Sequence, residues 1–145
     1  NDVIKITMTE NEKKKYFIKV STDPMTNASS GLLAVAIASE AINQGHEVVL
    51  FFAGDATKML HKDVINNLHT VTFHGNGKAG EMAKAAILNV ANGGGEIHVS
   101  EGSAMTYGIT KENYKSYIFE DLEINWSYPK QVIELSSKSD LVFSY

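Results

Sequence analysis

The residues best suited to chemistry surround a serine at the end of a short apolar segment. Residues 97–103 read IHVSEGS, so Ser100 and Ser103 follow a strand-like stretch. A serine nucleophile needs a neighbouring base, and His98 would lie on the same side of an ideal strand as Ser100. Ser100 and Ser103 are therefore the candidate catalytic residues. Because no complete set of acid, base and nucleophile is visible, we favour polar packing of His98 and a Ser103 that caps the next helix.

A second candidate site is a glycine pattern in the middle of the chain. Gly75, Gly77 and Gly80 spell GxGxxG before a predicted helix. Such a pattern can hold a pyrophosphate on the amide groups of a helix N-terminus. In dinucleotide-binding folds, however, the pattern belongs to the first strand–helix turn, and here a strong strand lies far upstream. We favour a glycine-rich entry to a helix, with weak anion binding as the alternative.

Polar side chains also follow the first predicted strand. Asp23 and Asn27 lie in a loop rich in Asp, Pro, Asn and Ser. Ligands of parallel α/β folds bind beyond the carboxyl ends of the strands, where the loops after Ser21, Ala53 and Ser100 would meet. The predicted ligand-binding residues are Asp23, Asn27, Ser100, Glu101 and Gly102. The alternative is that the loop side chains only bind amide groups of their own turns.

The five histidines show no spacing typical of a metal site. A structural zinc site has four ligands, usually in closely spaced pairs. Asp55, His61 and His74 could approach one another at the strand ends, but nothing in their spacing requires it. We therefore expect no metal and no cofactor.

These candidate residues depend on an alternation of strands and helices. Apolar, β-branched and aromatic runs predict strands over residues 16–21, 47–53, 96–100, 122–126 and 141–145. Helical spacing predicts helices from Ser29 or Ser30 to Gly45, over 80–92 and over 129–136, with short helices at 56–61 and 103–108. Alternation of this kind is typical of parallel strands joined by right-handed crossovers. The predicted fold is a three-layer α/β/α sandwich of flavodoxin-like type, with a five-stranded, mainly parallel sheet.

Length and composition limit the function classes. The 145 residues suit one domain, which we assign to residues 16–145 after an N-terminal arm at 1–15 whose order the sequence leaves open. Cysteine is absent, which excludes a persulfide, a thiol nucleophile and thiolate metal sites on these residues. The net charge of −4 and the lack of arginine disfavour nucleic acid as a partner. No apolar run approaches membrane-spanning length and the first residues are unlike a signal peptide, so we expect a cytoplasmic protein.

Aromatic residues are concentrated in the last third of the chain. They include Tyr107, Tyr114, Tyr117, Phe119, Trp126 and Tyr128. Such a segment is typical of an oligomer interface or of a core, because aromatic side chains are enriched in both. Stacking of single-stranded nucleic acid would need basic residues that this region lacks.

Several short segments, taken in order, resemble one protein family. They are the strand and loop over 20–30, the passage AINQGHEVVLFF over 41–52, Gly54-Asp55-Ala56, Gly108-Ile109-Thr110 and the closing DLVFSY over 140–145. Over residues 16–145 the chain resembles the DsrE/DsrF-like family of sulfur-relay proteins. The resemblance implies the three-layer fold and assembly into trimers or hexamers.

The resemblance also locates the expected chemistry of the family. Its sulfur-carrying cysteine would stand at Ser100, and the second cysteine of some members at Ser103. Because a hydroxyl cannot carry a persulfide, we expect a non-catalytic, oligomeric binding or assembly module, whose partners are its own copies and a cysteine-bearing relay protein. The alternatives are a sulfur-transfer protein, if Ser100 replaces a native cysteine, and a small enzyme or nucleotide-binding protein that uses the loops after Ser21, Ser100 and at Gly75–Gly80.

Overall fold

A five-stranded sheet lies at the centre of the computed structural model, which describes residues 12–68 and 78–145. The strands are β1 (Lys15–Val20), β2 (Glu47–Phe52), β3 (Glu96–Ser100), β4 (Ile124–Ser127) and β5 (Leu141–Ser144). They lie in the order β4-β3-β2-β1-β5, and every neighbouring pair is parallel. The predicted α/β fold is thus confirmed, with a fully parallel sheet. Residues 1–11 of the predicted arm lie outside the described residues, and Lys15 already belongs to β1.

Within residues 12–68 and 78–145, five α-helices connect the strands or flank their ends. They are α1 (Ala28–Asn43), α2 (Lys62–Ile65), α3 (Lys78–Asn92), α4 (Glu101–Thr106) and α5 (Pro129–Ser137). Short 3-10 helices occupy Gly54–Leu60, where a helix over 56–61 was expected, and Tyr114–Ser116. Among the described residues no helix combines the length and the apolar character that crossing a membrane requires.

The ends of α1 show how local sequence sets helix boundaries. At the carboxyl end Gly45 has a φ of +88°, its N–H binds Ile42 O, and His46 N–H binds Ala41 O. This is the αL helix end that favours glycine, as predicted. At the amino end the cap is Asn27, and the prediction of Ser29 or Ser30 was wrong. The Asn27 carboxamide oxygen accepts a hydrogen bond from Ser30 N–H at 3.3 Å, so the helix begins at Ala28.

The helices are distributed unequally over the two faces of the sheet. Side chains of α1 to α4 pack on one face in the larger core cluster, around Ile18, Leu50 and Phe52. On the other face Val132 and Leu135 of α5 pack against a smaller cluster formed by Phe17, Val49 and Phe51. Because β1 to β4 follow one another across the sheet, right-handed crossovers place the helices between them on one face, and only the return from β4 to β5 uses the other.

This topology creates a switch point between β3 and β4. The chain leaves β3 toward the face covered by α1 to α4, and it leaves β4 toward the face covered by α5. In open parallel sheets the crevice at such a point, beyond the carboxyl ends of the strands, is the usual place for a ligand. Ser100 and Ser127 are paired neighbours at the ends of these two strands.

Candidate functional site

The candidate site is the carboxyl edge of the sheet around Ser100. Ser100 ends β3 and is the N-cap of α4, where its hydroxyl accepts a hydrogen bond from Ser103 N–H at 3.3 Å. The Ser103 hydroxyl accepts from Gly54 N–H at 2.9 Å and so ties α4 to the loop after β2. Ser103 is therefore not the helix cap that the sequence predicted. Since α4 starts at Glu101, two residues earlier than expected, the cap is Ser100.

His98 does not serve as a base for Ser100. Its side chain is only 8% exposed, and Nδ1 lies 2.8 Å from Ser127 Oγ. The ring stacks on Phe51 with centroids 5.9 Å apart. Burial lowers the pKa of His98, although the Glu96 carboxylate acts in the opposite direction. A buried imidazole that is bonded to another serine agrees with the polar packing favoured from the sequence.

Glu101 belongs to a three-residue network that joins α4 to the start of α5. Its Oε2 lies 2.8 Å from Lys111 Nζ and accepts a hydrogen bond from the Tyr128 hydroxyl at 2.7 Å. Lys111 Nζ is also 3.3 Å from the Tyr128 hydroxyl. These contacts, with Lys111 as the largest cause, lower the pKa of Glu101, and the same carboxylate raises the pKa of Lys111. Both groups are therefore charged and paired at neutral pH.

A second network lies at the ends of β1 and β2. Asp23 Oδ1 is 2.9 Å from Lys58 Nζ, and this ammonium lies 4.9 Å from the centre of the Tyr107 ring. The Tyr107 hydroxyl donates to the Asp55 carboxylate, and this bond raises the pKa of Tyr107. The Lys58 hydrogen bond is the main cause that lowers the pKa of Asp23. Asp23 thus anchors a chain of contacts from the β1 loop to α4.

Replacing Asn27 tests whether its side chain stabilises α1 as a cap. Because its carboxamide holds Ser30 N–H, Asn27→Ala is expected to lower the free energy of unfolding by about 1 kcal/mol. Asn27→Asp keeps an oxygen acceptor and should lose much less. Urea denaturation of the three proteins measures this difference. Equal stability of the alanine and aspartate variants would contradict the capping role.

Gly80 has a packing role inside α3. A Cβ atom at this position would overlap the carbonyl oxygen of Ile65 and lie 3.2 Å from its carbonyl carbon. The close approach of α3 to the end of α2 therefore requires glycine. Gly75 and Gly77 lie outside the described residues, so the alternative of anion binding by this pattern is neither confirmed nor contradicted.

No metal site is formed by the side chains in residues 12–68 and 78–145, where no three histidine or carboxylate groups are arranged to hold an ion. Asp55 binds the Tyr107 hydroxyl, and His61 Nδ1 accepts from Asp63 N–H as the cap of α2. His74 lies outside the described residues, so an approach of this residue to Asp55 and His61 is neither confirmed nor contradicted.

The sequence reasoning missed four side chains of these networks. Lys58 follows β2, Tyr107 and Lys111 lie in the segment after α4, and Tyr128 precedes α5. The tyrosines were visible only as members of the aromatic-rich segment, and the lysines carried no local signal. The structure brings them beside Asp23 and Glu101, which the sequence did single out.

Four exposed apolar or aromatic side chains lie on the segments that follow the strands of the site. They are Met25 (41% exposed), Met105 (56%), Tyr107 (38%) and Tyr128 (45%). Met25 N–H donates a hydrogen bond to the Asp23 carboxylate, and this carboxylate is paired with Lys58. The Lys58 ammonium lies over the ring of Tyr107, and Met105 comes two residues before Tyr107 in the chain. The Tyr128 hydroxyl donates a hydrogen bond to the Glu101 carboxylate at the start of α4, and this bond connects Tyr128 to the same edge of the sheet. We call these four residues the edge surface.

Comparison with known proteins agrees with this fold. A sequence model of the DsrE/DsrF-like family matches residues 14–145. Among solved structures the chain is similar to the ychN protein from E. coli, with a TM-score of 0.56 and 11% sequence identity. That match covers 92% of this chain and 99% of the other. The likeness to the solved structure concerns the fold, and no curated protein sequence matches.

Proposed function

Since the chain belongs to the DsrE/DsrF-like family, we propose that it is a binding or assembly module of a sulfur-relay system that does not itself carry sulfur. The observation behind this proposal is the side chain at position 100. The resemblance puts the sulfur-carrying cysteine there, whereas this chain has a serine whose hydroxyl caps α4. The proposed partners are further copies of the chain, as a trimer or hexamer, and a cysteine-bearing relay protein. The cytoplasmic location also stays a prediction.

The chemistry of serine supports a role without sulfur transfer. A persulfide forms on a thiolate, and a serine hydroxyl has neither the sulfur atom nor a comparable acidity. Activation of Ser100 would need a base, but Nδ1 of His98 bonds Ser127 and Nε2 faces Glu96 at 3.7 Å. Both site serines hold backbone amides. The two serine hydroxyls thus stabilise the turn from β3 into α4 and its contact with the loop after β2.

The edge surface supplies an area suited to binding a protein. Methionine and tyrosine are enriched at protein interfaces, methionine for its adaptable shape and tyrosine for its rigid amphipathic ring. All four residues of the edge surface lie on loops or short helices that follow the carboxyl ends of strands. Rigid strands position them, and loops of this kind commonly carry function.

The charges around the edge surface indicate what kind of partner suits it. Lys58 is paired with Asp23, and Lys111 is paired with Glu101. Because these charges are already neutralised within the chain, a partner gains little by adding charges opposite them. An apolar partner surface therefore suits the edge surface better than a strongly charged one, and its binding should depend weakly on salt.

Two measurements test the proposed function. Native mass spectrometry of the purified chain should give three or six times the subunit mass of 15.9 kDa. Calorimetry with a purified cysteine-bearing relay subunit from the same organism should show saturable binding. A chain that stays monomeric at micromolar concentration and binds no such subunit would refute the assembly role.

Tyr107→Ser should weaken binding of that relay subunit about tenfold, since buried tyrosines often dominate interface energies. Leu33→Ser is the matched control, because Leu33 is an exposed apolar residue on α1 that is not part of the edge surface. The dissociation constant should change little between roughly 0.05 and 0.5 M salt. Equal losses in both variants, or a steep salt dependence, would show that binding uses another surface.

A further inference from the structure

His98 carries a buried nitrogen that the site does not use. Its Nε2 has no hydrogen-bond partner in the part of the chain that the structure describes. The nearest ionisable group is the Glu96 carboxylate, whose Oε1 lies 3.7 Å away and whose side chain is more than half exposed. A buried polar atom without a partner is destabilising by about 1–3 kcal/mol, so native structures rarely keep one without a reason.

The hydrogen bonds around Ser127 determine which ring nitrogen holds the proton. Ser127 Oγ donates to Asn125 O at 3.1 Å, so it accepts from Nδ1 of His98 at 2.8 Å. Neutral His98 must then be the Nδ1–H tautomer. The orphan Nε2 bears a lone pair, which faces a carboxylate and cannot bind it.

We propose that His98 and Glu96 form a proton-operated contact on β3. With His98 neutral, the lone pair on Nε2 keeps Glu96 at a distance and in solvent. When Nε2 takes up a proton, it becomes a donor, and the Glu96 carboxylate closes onto it as an ion pair. The bond from Nδ1 to Ser127 is the same in both states, so the proton adds a contact and breaks none.

The surroundings leave Glu96 as the dominant charged group facing His98. On β2 the ring meets Phe51, and Glu47 lies on the same face but near the start of that strand. The same-face residues of β4 are the uncharged Asn125 and Ser127, and the exposed Glu123 stands one residue before this strand, beside the start of β3. From α5, Val132 and Leu135 point to the sheet, while Lys130 and Glu134 lie near each other at 3.8 Å.

The folded state should lose stability as the pH falls below the ordinary histidine range. Burial, the larger effect, lowers the pKa of His98 below the 6.5 of an unfolded chain. The unfolded state therefore binds a proton first, so the contribution of His98 is complete above pH 6.5 and declines as the pH falls toward the folded pKa. Closure of Glu96 limits this decline, because it stabilises protonated His98 in the fold.

Glu96→Gln provides the test, with Glu47→Gln as a control of equal charge change on the neighbouring strand. Histidine ring nitrogen spectra of the unaltered chain should show the Nδ1–H tautomer for His98 at neutral pH. Glu96→Gln should lower the pKa of His98 by about half a unit or more, because it removes the favourable charge. Its new amide group can donate to Nε2 and should raise the melting temperature at neutral pH by about 3 °C.

An Nε2–H tautomer in the unaltered chain would overturn the proposal. So would equal responses of the His98 pKa to Glu96→Gln and to Glu47→Gln. The contact is independent of the partner proposed above, so these spectra can fail or succeed whatever the chain binds.

Discussion

Ser100→Cys is expected to convert the chain from one that takes up no sulfur into one that takes up about one sulfur atom per subunit from an inorganic polysulfide. The side chain at position 100 accepts a hydrogen bond from Ser103 N–H. A thiolate there would keep this donor, which lowers the thiol pKa below the usual value of about 8.5. Mass spectrometry of the treated protein measures the uptake, and the pH dependence of alkylation measures the pKa.

The control for that experiment is Ser137→Cys on α5. Ser137 is exposed, and its hydroxyl donates to Ile133 O instead of accepting from a backbone amide. Its thiol should therefore keep an ordinary pKa and react more slowly at neutral pH. If both variants show the same alkylation profile, the turn after β3 does not activate a thiol, and the sulfur-transfer alternative loses its support. A reactive thiol in the Ser100→Cys variant would support the sulfur-transfer alternative for a parent sequence with cysteine at that position.

Gly80→Ala is expected to lower the free energy of unfolding by about 3 kcal/mol or more, among the largest effects of a single added methyl group. The new Cβ would overlap the carbonyl oxygen of Ile65, which is backbone and cannot rotate away. Either α3 must move from the end of α2, or the buried Ile65 must shift. Thermal or urea denaturation with a two-state fit measures the loss.

Gly102→Ala is the matched control, since Gly102 also lies in a helix but an added Cβ meets nothing within 4 Å. Alanine should be neutral there or stabilising by a few tenths of a kcal/mol up to about 1, because it favours the helix and restricts the unfolded chain. Equal changes in stability at positions 80 and 102 would contradict the packing role of Gly80, because helix propensity alone favours alanine at both positions.

The sequence alone was sufficient to predict the fold, because its strand, helix and turn signals all agree with one arrangement of parallel strands. The apolar run over 47–53 predicted the strand that became β2, and Gly45 marked the end of α1. Alternation of strands and helices then left parallel pairing with right-handed crossovers as the consistent arrangement. The helix starts were less certain, because Asn27, Ser29 and Ser30 are all good caps, and only the hydrogen bond to Ser30 N–H selects Asn27.

The candidate site was only half visible in the sequence. The location of Ser100 and Glu101 could be predicted, because the loop after a parallel strand lies at the edge of the sheet where ligands bind. Their roles could not be assigned, since capping by Ser100 or by Ser103 depends on a turn of one or two residues. The absence of cysteine, which excludes a persulfide on these residues, follows from the sequence alone.

Only the tertiary structure decided which charges meet. Asp23 pairs with Lys58, and Glu101 binds Lys111 and Tyr128. The separations of these residues along the sequence follow no helical or strand period. The orphan Nε2 of His98 likewise depends on Ser127, 29 residues further along the chain. Periodicity records which face of an element is buried, because burial repeats with every turn or pleat. Pairing across loops is set by the packed backbone, and the sequence therefore determined the scaffold while the fold determined the contacts of the site.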